Sequence, residues 1–230
     1  MPTVPRALLL DAMGTLVKLE PPAPRLRSEL WRRFGVRLSD AEAVRALVAE
    51  IAFYRAHMLE AGDPASLVAL RAACAGVLRE ALPADRGLAK VGLGPLSEAL
   101  VACLRFTPYV DAPAALAHAR ERGLRIIVVS NWDCSLGSVL DDAGLGAWLD
   151  GVVTSAQVGA AKPAGRIFAA ALELAAVDAE QAVHVGDSVS EDVAGARAAG
   201  LTAVWLDRTG GPEPAGVPTL ASLGELGRFI

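Results

Sequence analysis

The chain has 230 residues, 53% of them hydrophobic and 21% charged, and a formal net charge of -4. That composition supports a sizeable core and excludes bulk disorder. The acidic balance, with no basic stripe, excludes nucleic acid as the expected partner, and no apolar run approaches the ~18 residues of a membrane span.

In chain order, "ALLL" before Asp11 reads as a buried strand, too short and too abruptly closed by Asp11 to be a signal peptide. About a hundred residues without a strand signal follow. Within them "RLRSELWRRFGV", "DAEAVRALVAEIAFYRAHMLEA" and "SLVALRAACAGVLREAL" read as helices; in the last, Leu67, Leu70, Cys74, Val77 and Leu78 recur at helical spacing. This stretch is too long for a crossover, so residues 19–105 are expected to form a separate helical bundle.

"DAPAALAHARERG" is a helix with Asp111 as expected N-cap and Gly123 as stop. "LRIIVV", "GVVT", "AVHV" and "LTAVWL" are apolar runs that do not alternate, as in a parallel sheet covered on both faces. "SLGSVLDDAGL" and "PAGRIFAAALEL" are the intervening helices, the second taken to start at Pro163. The tail opens as a loop, "RTGGPEPAG", and closes on a short helix. Strand alternating with helix predicts an α/β fold, a doubly wound parallel sheet built from residues 1–18 and 106–230.

Four of these strands lead to polar residues: Asp11, Ser130-Asn131, Lys162 through a loop, and Asp187. In an open α/β sheet the crevice outside the carboxyl ends of the strands is the binding site, which would bring them together. Asp11, followed by Gly14 and Thr15, suits in-line attack on phosphorus, although "D-x-x-G-T" also serves as an Asx-capped turn. Ser130 and Asn131 are hydrogen-bond donors or loop caps. Lys162, one of only three lysines among 22 basic residues, would read as an exposed surface lysine if it stood alone, but the scarcity of lysine points to a compact ammonium beside an anion. Asp187 and Asp192, with Asp11, supply hard oxygen ligands suited to Mg²⁺. Ser188 and Glu191 also fit a capping box.

Asp133 reads as the N-cap of the next helix, and Trp132 as packing or, failing that, a wall of the pocket. His57, His118 and His184 read as structural, having no metal-ligand spacing. Cys74, Cys103 and Cys134, without a C-x-x-C, read as incidental thiols of a cytoplasmic protein.

"DAMGTL", "VVSNWD", "AAKPAGRIF" and "VGDSVSEDVAGARAAG" resemble motifs I to IV of the haloacid dehalogenase (HAD) hydrolase superfamily, with a cap inserted after motif I. "SNWD" and "HVGD" resemble the subgroup of haloacid dehalogenase-like hydrolase domain-containing protein 3. The resemblance implies a Rossmann-like core with a helical cap and a Mg²⁺-dependent phosphatase acting on a small phosphorylated metabolite. Asp11 would be the nucleophile, passing through an aspartyl phosphate, and Lys162 would neutralise charge. Thr15, Ser130 and Asn131 would orient the phosphoryl group. The metal would be held by Asp11, Asp187, Asp192 and the backbone carbonyl of Met13. The expected assembly is a monomer or homodimer.

The sequence departs from the family pattern at Met13, where the phosphatases carry the aspartate that protonates the leaving group. Loss of such a group typically costs ~10²–10⁴ in rate, so weak or narrow activity is expected. Two alternatives share the fold: a 2-haloacid dehalogenase, which needs neither proton nor metal, and a non-catalytic binder of a phosphorylated ligand or partner. A phosphonatase route through a cap lysine is closed across most of the cap, because no lysine lies between Lys18 and Lys90.

Overall fold

A computed structural model describes residues 4–84, 87–212 and 214–230. The chain forms two compact units: residues up to Lys18 with Thr107–Ile230, and Leu19–Phe106.

The first unit is built on a six-stranded parallel sheet. Its strands are β1 (Ala7–Leu10), β4 (Arg125–Ser130), β5 (Gly151–Thr154), β6 (Ala182–Gly186), β7 (Thr202–Leu206) and β8 (Thr219–Leu220), in the order β5-β4-β1-β6-β7-β8. The strand order reverses at β1, whose neighbours are β4 and β6. This is the switch point at which α/β sheets open a crevice beyond their carboxyl ends. Leu8, Leu9, Leu10, Ile126, Ile127, Val128 and Val129 are all essentially inaccessible, so both faces of the sheet are covered. That explains why these strands read as continuous apolar runs.

Helices α5 (Ala112–Glu121), α6 (Leu136–Asp142), α7 (Ser155–Val158), α8 (Gly165–Ala175) and α9 (Ala194–Ala198) connect the strands. Ile167, Phe168 and Ala171 of α8 pack on Leu9, Ile127 and Val129, and Val193 and Ala196 close the same cluster.

The second unit holds α1 (Pro22–Phe34), α2 (Asp40–His57), α3 (Pro64–Ala81) and α4 (Leu93–Cys103). Ser39 and Glu42 form a reciprocal capping box on α2, and Asp63 accepts from the amides of Ala65 and Ser66 to start α3. Leu26 and Leu30 of α1, Leu67, Leu70, Cys74 and Leu78 of α3, and Leu96, Ala99, Leu100 and Cys103 of α4 are buried. A short ribbon of β2 (Val17–Leu19) and β3 (Phe106–Pro108) lies where the chain leaves and rejoins the α/β unit.

The structure corrects the sequence reading in several places. The bundle has a fourth helix, α4. The strands β2, β3 and β8 were too short to leave an apolar run. Helix α8 starts at Gly165, with Pro163 in the preceding turn. Asp111 stands at the N-cap of α5, but its carboxylate makes no cap bond and turns to Arg208, Ser222 and Leu223. Asp133 caps the turn at Ser135, accepting from its amide at 2.7 Å, one step short of α6 itself. Among the described residues no helix is long and apolar enough to cross a membrane.

Candidate active site

The amide of Asp11 donates to Val185 O at 3.0 Å, which seats the residue just past β1 and against β6. Ser130 ends β4, and its hydroxyl donates to Asp11 Oδ1 at 3.0 Å. Lys162, in the loop ahead of α8, places Nζ 2.6 Å from Asp11 Oδ1 and 2.5 Å from Asp192 Oδ1. Each carboxylate of Asp11, Asp187 and Asp192 offers an oxygen within 4.8 Å of the others. Asp11, Lys162 and Asp192 are buried, while Asp187 reaches the surface. Among the described residues, every hydrogen bond to the Asp11 carboxylate falls on Oδ1, leaving Oδ2 uncommitted.

Two glycines permit this crowding. A Cβ on Gly14 would stand 2.1 Å from Asp187 Oδ2, and Gly14 also holds a φ of +81°. A Cβ on Gly186 would stand 2.1 Å from Asp192 Cγ. Any larger residue at either position would push a carboxylate out of the cluster.

Three carboxylates face one ammonium. At such separations two like charges repel by roughly 3 kcal/mol at an effective dielectric of about 20. Partial loss of hydration, followed by repulsion from Asp11 and Asp192, pushes the Asp187 carboxyl up to about 6. Burial likewise raises Asp11, against the pull of Lys162. Burial opposes ionisation of Asp192 too, but the ammonium and hydrogen bonds from Lys162 and His184 hold it well below the usual carboxylate range. Desolvation would lower Lys162; its two carboxylate partners overcome this and hold the ammonium above its ordinary value. An added cation would relieve the surplus negative charge, so the donor set suits a hard metal ion.

The other expected residues fall in and around this cluster. Thr15 is fully buried, and its hydroxyl has no hydrogen-bond partner among the described residues. Asn131 differs from expectation, because its amide is already engaged. Nδ2 donates to Lys162 O at 3.1 Å and to Glu191 Oε2 at 3.0 Å, and Oδ1 accepts from the amide of Lys162 at 2.7 Å. It therefore staples the β4 end to the lysine loop. Met13 is half-buried and bridges Val17 through the backbone, and its side chain has no proton to transfer.

Two contributors escaped the sequence reading. His184 lies inside β6 with Nε2 2.9 Å from Asp192 Oδ1 and its ring edge-on to Phe168. Its alternation with Gly186 on one face of the strand was the available signal. Glu191, which stands in the first turn after Ser188, also accepts from Asn131, and only half of the expected capping box forms. Ser188 Oγ accepts from the Glu191 amide, whereas the Ser188 amide donates to Asp192 Oδ2 at 3.0 Å. The other two histidines are structural: His57 bonds Phe53 O, and His118 lies 3.9 Å from Glu121.

The haloacid dehalogenase-like hydrolase family profile matches residues 5–200. Phosphoserine phosphatase of Thermus thermophilus is 37% identical, over 90% of this chain and 91% of that protein. Haloacid dehalogenase-like hydrolase domain-containing protein 3 of Bos taurus is 44% identical over 45% of this chain, a match that spans only 40% of that protein. The crystal structure of an HAD phosphatase from Thermococcus onnurineus, 27% identical, covers 97% of this chain and 96% of its own, with a TM-score of 0.66. The acid-lined switch point and the family match over most of the sequence lead to one assignment: this chain belongs to the haloacid dehalogenase-like hydrolase family.

Proposed function

We propose that this chain is a Mg²⁺-dependent phosphatase that hydrolyses small phosphorylated metabolites through an aspartyl phosphate on Asp11. The observation carrying this reading is the sharing of Asp11 Oδ1 by Ser130 and Lys162, which leaves Oδ2 as the attacking oxygen. The similarity to a protein named phosphoserine phosphatase, over 90% of this chain, supports the same chemistry.

Asp11, Asp187, Asp192 and the Met13 carbonyl would hold the metal, which would supply Lewis-acid stabilisation of the developing charge. Asp11 Oδ2 attacks phosphorus, and the bond from phosphorus to the leaving oxygen breaks. Lys162 offsets the charge that develops. Among the described residues the Thr15 hydroxyl has no partner, as expected of a donor reserved for the phosphoryl group, and Ser130 orients the nucleophile. Asn131 acts through the backbone of Lys162. With Met13 in place of an acid, the leaving group departs as an anion. Water then displaces Asp11 from phosphorus, its proton passing to solvent, without a side-chain base.

Substrates whose leaving group needs little protonation, aryl and acyl phosphates, are therefore favoured over alkyl esters such as phosphoserine. The test is Mg²⁺-dependent phosphate release across a panel containing both classes. Turnover on the aryl phosphate, abolished in Asp11→Asn, is expected. Equal rates for wild type and Asp11→Asn throughout the panel would overturn the reading, and metal-free halide release from a 2-haloacid would replace it with dehalogenation.

A further inference from the structure

Arg208 follows β7, outside the four motifs, yet its guanidinium reaches back to the nucleophile loop. Nε donates to Gly14 O at 3.1 Å and Nη2 to Thr15 O at 2.8 Å. The other edge of the fork grips Asp111, with Nη1 2.9 Å from Oδ2 and Nη2 3.0 Å from Oδ1. The Tyr109 ring lies beneath the guanidinium at 3.8 Å. Asp111 is held in turn by the Ser222 hydroxyl at 2.7 Å and the Leu223 amide at 2.9 Å. Asp207 accepts from the amides of Thr209, Gly210 and Gly211, which fixes the turn that presents Arg208.

This arrangement constrains the loop in a specific way. A trans peptide is planar, so pinning the Gly14 and Thr15 carbonyls also fixes the directions of the Thr15 and Leu16 N–H groups. Gly14 is the residue against which Asp187 packs, so its peptide sets the spacing between the nucleophile loop and the third acid. Arginine suits the task because its planar fork serves four acceptor contacts at once, which an ammonium point charge does not.

We propose that Arg208 is a positioning residue that clamps the Asp11–Leu16 loop in its attacking geometry. Its catalytic consequence rests on the phosphatase reading above; the clamp itself does not.

Arg208→Gln and Arg208→Lys are compared with Arg228→Gln, a surface control whose salt bridge is to Glu225. In both Arg208 variants, amide exchange of residues 12–16 is expected to quicken while that of β4 is unchanged. On the aryl phosphate kcat falls by up to ~10²-fold, the cost of a nucleophile displaced by about 1 Å, with KM little changed. Added guanidinium ion is expected to restore part of the kcat of Arg208→Ala, which loss of global stability alone would not allow. If Arg208→Gln does not fold, Arg208→Lys, which keeps the charge and most of the stem, carries the comparison. Unchanged loop exchange overturns the clamp. Faster exchange with wild-type kcat overturns its positioning role. A wild type without turnover sinks the phosphatase reading and with it the catalytic part of the proposal, while loop exchange still decides the clamp.

Discussion

Asp192 in the α/β unit and Glu50 in the helical unit are both buried acids, 1% and 5% exposed, and they behave oppositely. Asp192 meets an ammonium, an imidazole and a backbone amide, and its carboxyl is held ionised. Burial raises Glu50 on α2, whose side-chain hydrogen-bond partner among the described residues is the Cys74 thiol. The nearby Cys103 thiol is pushed up to about 12, by burial first and the Glu50 charge second. The contrast shows that burial does not by itself make a reactive acid: partners recruited from separate segments of the fold keep a carboxylate charged in a dry site. The helical unit has capped helices and packed leucines but no comparable set of partners among its described residues.

The largest expected effect comes from enlarging the partnered set. Met13→Asp restores a side-chain acid two residues after the nucleophile and should raise phosphoserine hydrolysis by up to ~10²–10⁴. The gain on an aryl phosphate should be smaller. Equal gains on both, or none, would show that leaving-group protonation is not what this site lacks.

The next effect comes from stripping Asp192 of its partner. Lys162→Met leaves Asp11 and Asp192 buried without their counter-ion, at a cost of about 3–5 kcal/mol in stability. Urea unfolding without metal measures it, and an unchanged midpoint would mean the ion pair is not what steadies these acids. Added Mg²⁺ should recover part of the loss, since ligand binding stabilises the native state.

The smallest effect probes Glu50. Its folded-state pKa lies above that of the unfolded chain, so folding takes up a proton between the two. Its contribution is fully present below about pH 4.5 and is lost as pH rises through the higher folded value. Glu50→Gln should flatten that part of the stability–pH curve and leave turnover unaltered. Parallel curves for wild type and variant would remove the contrast with Asp192. Because Asp11 and Asp187 are raised as well, only the difference between the two curves isolates Glu50.

What the sequence determined by itself was the sheet and its polar rim. Leu8–Leu10, Ile126–Val129 and Ala182–Gly186 are short, mostly apolar runs that hydrophobic burial orders into a parallel sheet, and Asp11, Ser130 and Asp187 are the next residues in the chain. Their convergence could be inferred because position at a strand's carboxyl end is a local property. Which side chains meet depends on how the folded chain packs these segments together. Asn131 turned from a free donor into a staple for Lys162, His184 became a support for Asp192, and Arg208 came back across 194 residues to hold Gly14. Hydrophobic periodicity places a residue on an element and a face, whereas a hydrogen-bond partner is chosen by angstrom-scale geometry between segments brought together by folding. The short strands β2, β3 and β8 escaped for a related reason: two or three residues carry too little pattern, and pairing with a neighbour defines them.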